Sequence, residues 1–132
     1  MTALEAKLMK RVSVAVMQRH IEILIAAHIP FDIPIIRRDG IRGAQTLWRG
    51  SSRELLEITL PRVKSPISYA VALHELGHIC GRYQRSRRVM VRERWAWAWA
   101  RKNALIWTPR LERYATEALS WYAARQRHYD WP

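Results

Sequence analysis

His74-Glu75-Leu76-Gly77-His78 reads H-E-L-G-H, and the rest of the chain is interpreted outward from it. On a helix, residues four apart lie on one face, so the imidazoles of His74 and His78 can converge on one ion. Zinc suits such a pair, because it takes neutral imidazole nitrogens and leaves a coordination position open in a catalytic site. Glu75 then lies beside the metal, where it can take a proton from zinc-bound water. The bland alternative is coincidence, two histidines around a glutamate that pack or face solvent. H-E-x-x-H arises by chance in roughly one chain of this length in a few hundred, so the surroundings have to carry the reading.

Upstream, Ser65-Pro66 starts a helix, with Ser as N-cap and Pro at the first helical position. Ile67, Tyr69, Ala70, Val71, Ala72, Leu73, Leu76 and Ile79 leave this helix almost no polar face, which predicts that it is buried. Three polar groups on a buried helix need a compensating partner, and a metal supplies one. Gly77 allows another backbone to come close, and Gly81 marks the C-terminal stop.

Downstream, Val91-Arg92-Glu93-Arg94-Trp95-Ala96-Trp97-Ala98-Trp99-Ala100 alternates Trp and Ala, as a strand with every tryptophan on one face would. Helix is the preferred reading, since Ala is the best helix former and no breaker interrupts Arg101 to Leu105 before Thr108-Pro109. In helical phase Glu93 shares a face with Ala96, Trp97, Ala100 and Ala104. That small-residue face can approach the metal helix and carry a carboxylate to the ion. A final helix over Arg110 to Arg127 has Leu111, Tyr114, Ala115, Ala118, Leu119 and Tyr122 as its inner stripe, and His128 to Pro132 carries no signal.

A catalytic zinc takes three protein ligands plus water. The candidates for the third are Glu93, Glu112, Glu117, His128 and Asp130. Glu93 fits best, on the next helix past a turn long enough to reverse direction; its bland alternative is a surface glutamate paired with neighbouring arginines. Cys80 is off the ligand face and reads as core filling, and His20 and His28 read as unrelated to the site. Trp95, Trp97 and Trp99 have the chemistry to stack on bases, but core packing is the stronger reading. An oxyanion donor is needed, and Tyr83, Tyr114 and His128 are candidates among which the sequence does not choose.

On the N-terminal side, Thr2-Ala3-Leu4-Glu5 matches a capping box, and Leu4, Leu8, Val12, Ala15, Val16 and Ile23 keep helical spacing towards Ala27. Pro30 forbids continuation, and the β-branched stretch Val12 to Val16 is a candidate break. Asp32 to Arg37, Ala44 to Trp48 and Leu55 to Leu60 read as three strands separated by Asp39-Gly40 and Gly50-Ser51-Ser52, a small antiparallel sheet closed by Pro61. An edge strand there has the chemistry to pair with an extended substrate backbone.

At 132 residues the chain is expected to be a single domain, residues 1–132, and 49% hydrophobic residues argue against a disordered chain. Cys80 is the only cysteine, so there is no internal disulfide framework. No apolar run approaches a membrane span and no secretion signal is evident. These features predict a cytoplasmic protein with no membrane partner. The formal charge of +12, with six arginines between Arg82 and Arg94, attracts polyanions and makes nucleic acid a candidate partner. A bland source exists too, since Arg, Ala and Trp rise together in genes of high G+C content.

In this order of elements the chain resembles a minimal zincin, and in particular the ImmA/IrrE-like metallopeptidases common in phages and mobile elements. Those enzymes share H-E-L-G-H and, further on, a glutamate followed by alanines and a terminating proline, here Glu93, Ala96, Ala100 and Pro109. The similarity spans about residues 31 to 109. It implies an α+β fold: N-terminal helix, small sheet, H-E-x-x-H helix, ligand-bearing helix and C-terminal helix. It also implies zinc-dependent cleavage of a protein substrate, often a DNA-bound regulator, in the host cytoplasm where phage-encoded. His74, His78 and Glu93 are then ligands and Glu75 the base. SprT-like proteases also combine H-E-x-x-H with basic character but use a third His, and none lies between His78 and His128. The alternative function is a basic nucleic-acid- or protein-binding module with a structural zinc or an inactive zincin fold.

Overall fold

The computed structural model describes residues 2, 12–50 and 53–132. The expected capping box needs Ala3 to Glu5 as well as Thr2 and, with Leu4 and Leu8, lies outside the described residues. The first described helix, α1 (Val14–His28), begins inside the β-branched stretch where a break is expected. Ser13 caps it, its Oγ accepting from the Val16 amide at 3.2 Å. It ends where Ile29, the residue before Pro30, is extended at φ −103° and ψ 128°. Met17, Ile21, Leu24 and Ile25 form its inner stripe.

Three strands follow: β1 (Ile35–Arg38), β2 (Gln45–Arg49) and β3 (Glu54–Pro61), in the order β1-β3-β2. The sheet is mixed, which corrects the antiparallel expectation. β2 pairs antiparallel with β3, but β1 pairs parallel with it, Ile35 opposite Ile58 and Arg38 opposite Pro61. Burial explains the order. β3 carries Ile58 and Leu60, both fully buried, and takes the centre, where both of its edges are paired. The more polar β1 and β2 become the edges, where arginines and Gln45 meet solvent. The chain does reverse after β1, but β3 inserts between the two strands that the turn joins. A register shift between Leu47 and Trp48 is the sort of irregularity that re-aims a side chain.

Helix α2 (Pro66–Cys80) runs beneath the sheet. Ser65 and Ser68 cap its start reciprocally, each hydroxyl accepting from the other residue's amide, and Pro66 fills the first turn. Every residue from Ser68 to Gly77 is buried, as the apolar pattern requires. Helix α3 (Val89–Asn103) packs along it, so the Trp/Ala alternation is helical, with Glu93, Ala96, Trp97 and Ala100 turned inward. Gly77 is where the two backbones meet: a Cβ there would run into the carbonyl of Ala96. Gly77→Ala is therefore expected to cost about 1–3 kcal/mol and to lower the melting temperature by roughly 2–12 °C. A thermal melt checks this, and an unchanged midpoint would mean that the helices can separate freely.

α3 stops at Asn103, short of Thr108. Ala104 turns extended, Leu105 donates its amide to the Tyr69 hydroxyl at 3.0 Å, and Ile106 and Trp107 are buried; tertiary packing overrides the helical preference. Helix α4 (Pro109–Ala123) is capped by Thr108 and turns Leu111 and Ala115 into the core. The single helix expected to Arg127 breaks after Ala123, and a short α5 (Gln126–Tyr129) turns the tail back. The tail has a role that its sequence does not show. Asp130 Oδ1 accepts from the Val89 amide at 2.8 Å and Trp131 donates to the Arg87 carbonyl at 2.7 Å, so the tail caps the start of α3. Among the described residues, no helix is long and apolar enough to cross a membrane.

Candidate metal centre

The close approach of α2 and α3 at Gly77 brings His74, His78 and Glu93 together. Their ligating atoms all lie within 4.8 Å of one another, and the group can hold a metal ion. His74 Nε2 is 2.6 Å from Glu93 Oε2, and His78 Nε2 is 3.2 Å from Glu93 Oε1. Glu93, 4% exposed, thus points inward rather than pairing with the arginines on either side of it.

The orientation of each imidazole is set by its neighbours. His78 Nδ1 lies 2.9 Å from Gln84 Oε1, and the Gln84 amide group donates to the Arg92 and Arg82 carbonyls. Those two donations fix the amide so that its oxygen faces the ring. Nδ1 then carries the proton and Nε2 is free to ligate. The His74 ring is stacked on Trp97, centroids 4.2 Å apart and planes at 13°. Two imidazole nitrogens and one carboxylate, nearly buried and with one tautomer already selected, are a donor set that fits zinc.

Charges inside the group are strongly coupled. Burial opposes ionisation of His74, yet the carboxylates of Glu75 and Glu93 outweigh it and push its pKa up to about 9. Burial likewise opposes a charged Glu93, but the two histidines hold its carboxyl far below the usual range. Glu75 is also lowered against burial, by His74, His78 and a hydrogen bond from Thr46. Thr46 Oγ1 lies 2.8 Å from Glu75 Oε2 and 3.1 Å from the Glu75 carbonyl. Glu75 is therefore a fixed, ionised carboxylate beside the three-residue group.

A cleft of about 210 Å³ opens over these residues, lined further by Ala44, Gln45, Thr46, Trp48, Arg53, Arg92 and Tyr122. Of the tyrosines and histidines weighed as oxyanion donors, Tyr83, Tyr114 and His128 do not line this cleft, whereas Tyr122 does. Tyr83 is 59% exposed against Trp95, Tyr114 packs on Trp97, and His128 faces solvent. Burial and then the charges of Glu93 and Glu75 push the Tyr122 hydroxyl up, beyond the ordinary tyrosine range, so it remains a donor. In the sequence Tyr122 is one position of the inner stripe of the last helix, with nothing beside it to mark a site.

The other ligand candidates have different places. Glu112 binds Arg101 in a two-pronged pair at 2.8 and 2.6 Å and accepts from the Trp107 indole. Glu117 and His128 are exposed, and Asp130 caps α3. Cys80 is a free thiol, pushed up to about 11 by burial and unsuited to nucleophilic work. His20 hydrogen-bonds Tyr69 at 2.6 Å, and His28 packs on Trp99. Trp97 is 2% exposed and belongs to the core, whereas Trp95 is 37% exposed.

Comparison with protein-family models, with curated proteins and with solved structures found no match to this chain.

Proposed function

We propose that this protein is a zinc-dependent metalloendopeptidase of the zincin kind, acting on a protein substrate. The observation that carries the reading is the convergence of His74 Nε2 and His78 Nε2 on the Glu93 carboxylate, with ionised Glu75 in the same cleft. His74, His78 and Glu93 would hold the ion. When bound, zinc supplies Lewis acidity, acidifying a water and polarising a carbonyl oxygen. Glu75, steadied by Thr46, takes a proton from water in the cleft and hands it to the departing amine. Tyr122 donates to the carbonyl oxygen as negative charge develops there. Among the described residues β2 is paired along one edge only, and its residues line the cleft, so an extended substrate can add to the other edge.

The test is metal content by mass spectrometry, followed by casein hydrolysis. About one zinc per chain is expected for the natural sequence, with markedly less for Glu93→Ala and chelator-sensitive hydrolysis only in the former. A chain that stays zinc-free after reconstitution would end this proposal.

One observation favours the second reading, a nucleic-acid-binding module. Arg82, Arg85, Arg87, Arg88 and Arg94 are all exposed around the connection between α2 and α3. Phosphate contacts by these residues would make binding fall steeply with salt. The two readings are compatible if this surface brings the peptidase to DNA-bound targets.

A further inference from the structure

The cleft wall contains two arginines that the proposed chemistry does not use. Arg53, the turn residue just before β3, has φ 57°, a left-handed conformation that a side chain of this size rarely adopts and that is found disproportionately at functional sites. Its guanidinium lies 4.1 Å from the Trp48 ring centroid and 4.7 Å from that of Trp131. Arg92 lies 3.7 Å from the same Trp131 ring and donates to the carbonyls of Ser86 and Tyr129. The returning tail thus fixes both guanidinium groups in place.

Stacking occupies the faces of a guanidinium and leaves its in-plane N–H donors available. Among the described residues, no carboxylate and no hydrogen-bond acceptor pairs with Arg53. Its neighbours instead add like charge. Burial first, then Arg92 and Arg85, pull its pKa down to about 10, where it still carries its proton at neutral pH. Arg53 also lines a second cavity of about 300 Å³ with Trp48, Leu55, His78, Ile79, Gln84 and Arg85, so it stands between two hollows that both reach His78.

A half-buried cation held flat, with free donors and no carboxylate paired to it among the described residues, is built for a carboxylate brought by something else. We infer that Arg53, seconded by Arg92, is a carboxylate-binding subsite that selects peptides presenting an acidic group next to the bond to be cleaved. The carboxylate comes either from an Asp or Glu side chain or from the peptide's own C-terminus. As a statement about substrate class, this rests on the peptidase proposal; as a statement about binding, it stands apart from it.

Two measurements separate these levels. In the first, fluorescein-labelled Gly-Ala-Glu-Ala-Gly-Ala amide, its Gln counterpart, and that Gln peptide with a free C-terminus are titrated into the Glu75→Gln protein by anisotropy. A carboxylate peptide should bind on the order of tenfold more tightly than the uncharged Gln amide. The Glu amide and the Gln free acid report the side-chain and C-terminal sources respectively. Arg53→Gln should erase the preference while leaving zinc content in place. Arg110→Gln, an equal charge change at the far end of α4, should preserve it. Equal effects of the two substitutions would reduce the preference to overall charge and overturn the subsite.

The second measurement maps cleavage by the natural chain in a peptide library, with its carboxylates intact or methyl-esterified. Cuts beside Asp or Glu, or next to the C-terminus, that vanish on esterification support the inference. Equal cutting of both libraries overturns it. No cutting at all counts against the peptidase proposal, and the titration then decides the subsite alone.

Discussion

With Glu75 replaced by Gln, the protein is expected to keep its metal and to lose peptide hydrolysis by about 10²–10⁴-fold in kcat. Gln has the shape of Glu and can still take a hydrogen bond from Thr46, so the cleft should keep its form. What it lacks is basicity. Glu75 is ionised in the folded chain because His74, His78 and Thr46 lower its pKa against the effect of burial. Removing a negative charge next to His74 also makes that imidazole easier to deprotonate, so zinc uptake should be retained. The contrast with His74→Ala is the informative part, since that change should lose zinc and hydrolysis together. Paired metal analysis and steady-state kinetics separate the cases, and undiminished turnover in the Gln variant would refute the base assignment.

How far the sequence could be read depended on how locally each feature is determined. The H-E-L-G-H spacing and the Ser65-Pro66 start need only helix geometry, and the phase of Glu93 follows from Ala96, Trp97 and Ala100 on the same helix. Gly77 pointed to a close backbone approach for the same reason. Features that depend on distant pairing were not legible. The central place of β3 rests on comparing the burial of three strands, which a turn signal at Asp39-Gly40 cannot convey. Thr46 reaches Glu75 across 29 residues, and Asp130 reaches Val89 across 41. Gln84 lies only six residues past His78. A ligating imidazole generally has a hydrogen-bond partner on its other nitrogen. Nothing in a loop crowded with arginines singled out the glutamine.

Zinc uptake near pH 7 should release about one proton per chain, and the affinity should rise roughly tenfold per pH unit up to about pH 9. The reason lies in the metal-free group. His74 has its pKa raised to about 9 by Glu75 and Glu93, so at neutral pH it is an imidazolium donating from Nε2 to Glu93. Zinc needs that nitrogen bare, and binding has to displace the proton. Stability follows the same sign. A raised folded-state pKa gives stabilisation that is complete below the ordinary histidine value of 6.5 and is lost as pH rises through about 9. Glu93, held low, contributes in the opposite sense, with stabilisation present above its ordinary 4.5 and lost only in strong acid. Across pH 6.5 to 9, then, the metal-free chain should weaken while zinc binding strengthens, and the gap between their melting temperatures should widen. Calorimetry in buffers of different protonation enthalpy measures the proton count, and melts with and without zinc measure the gap. A gap that stays constant over this window, with no proton released at pH 7, would mean that His74 is already neutral before the metal arrives. The paired charges of His74 and Glu93 would then not be what holds the metal-free site together.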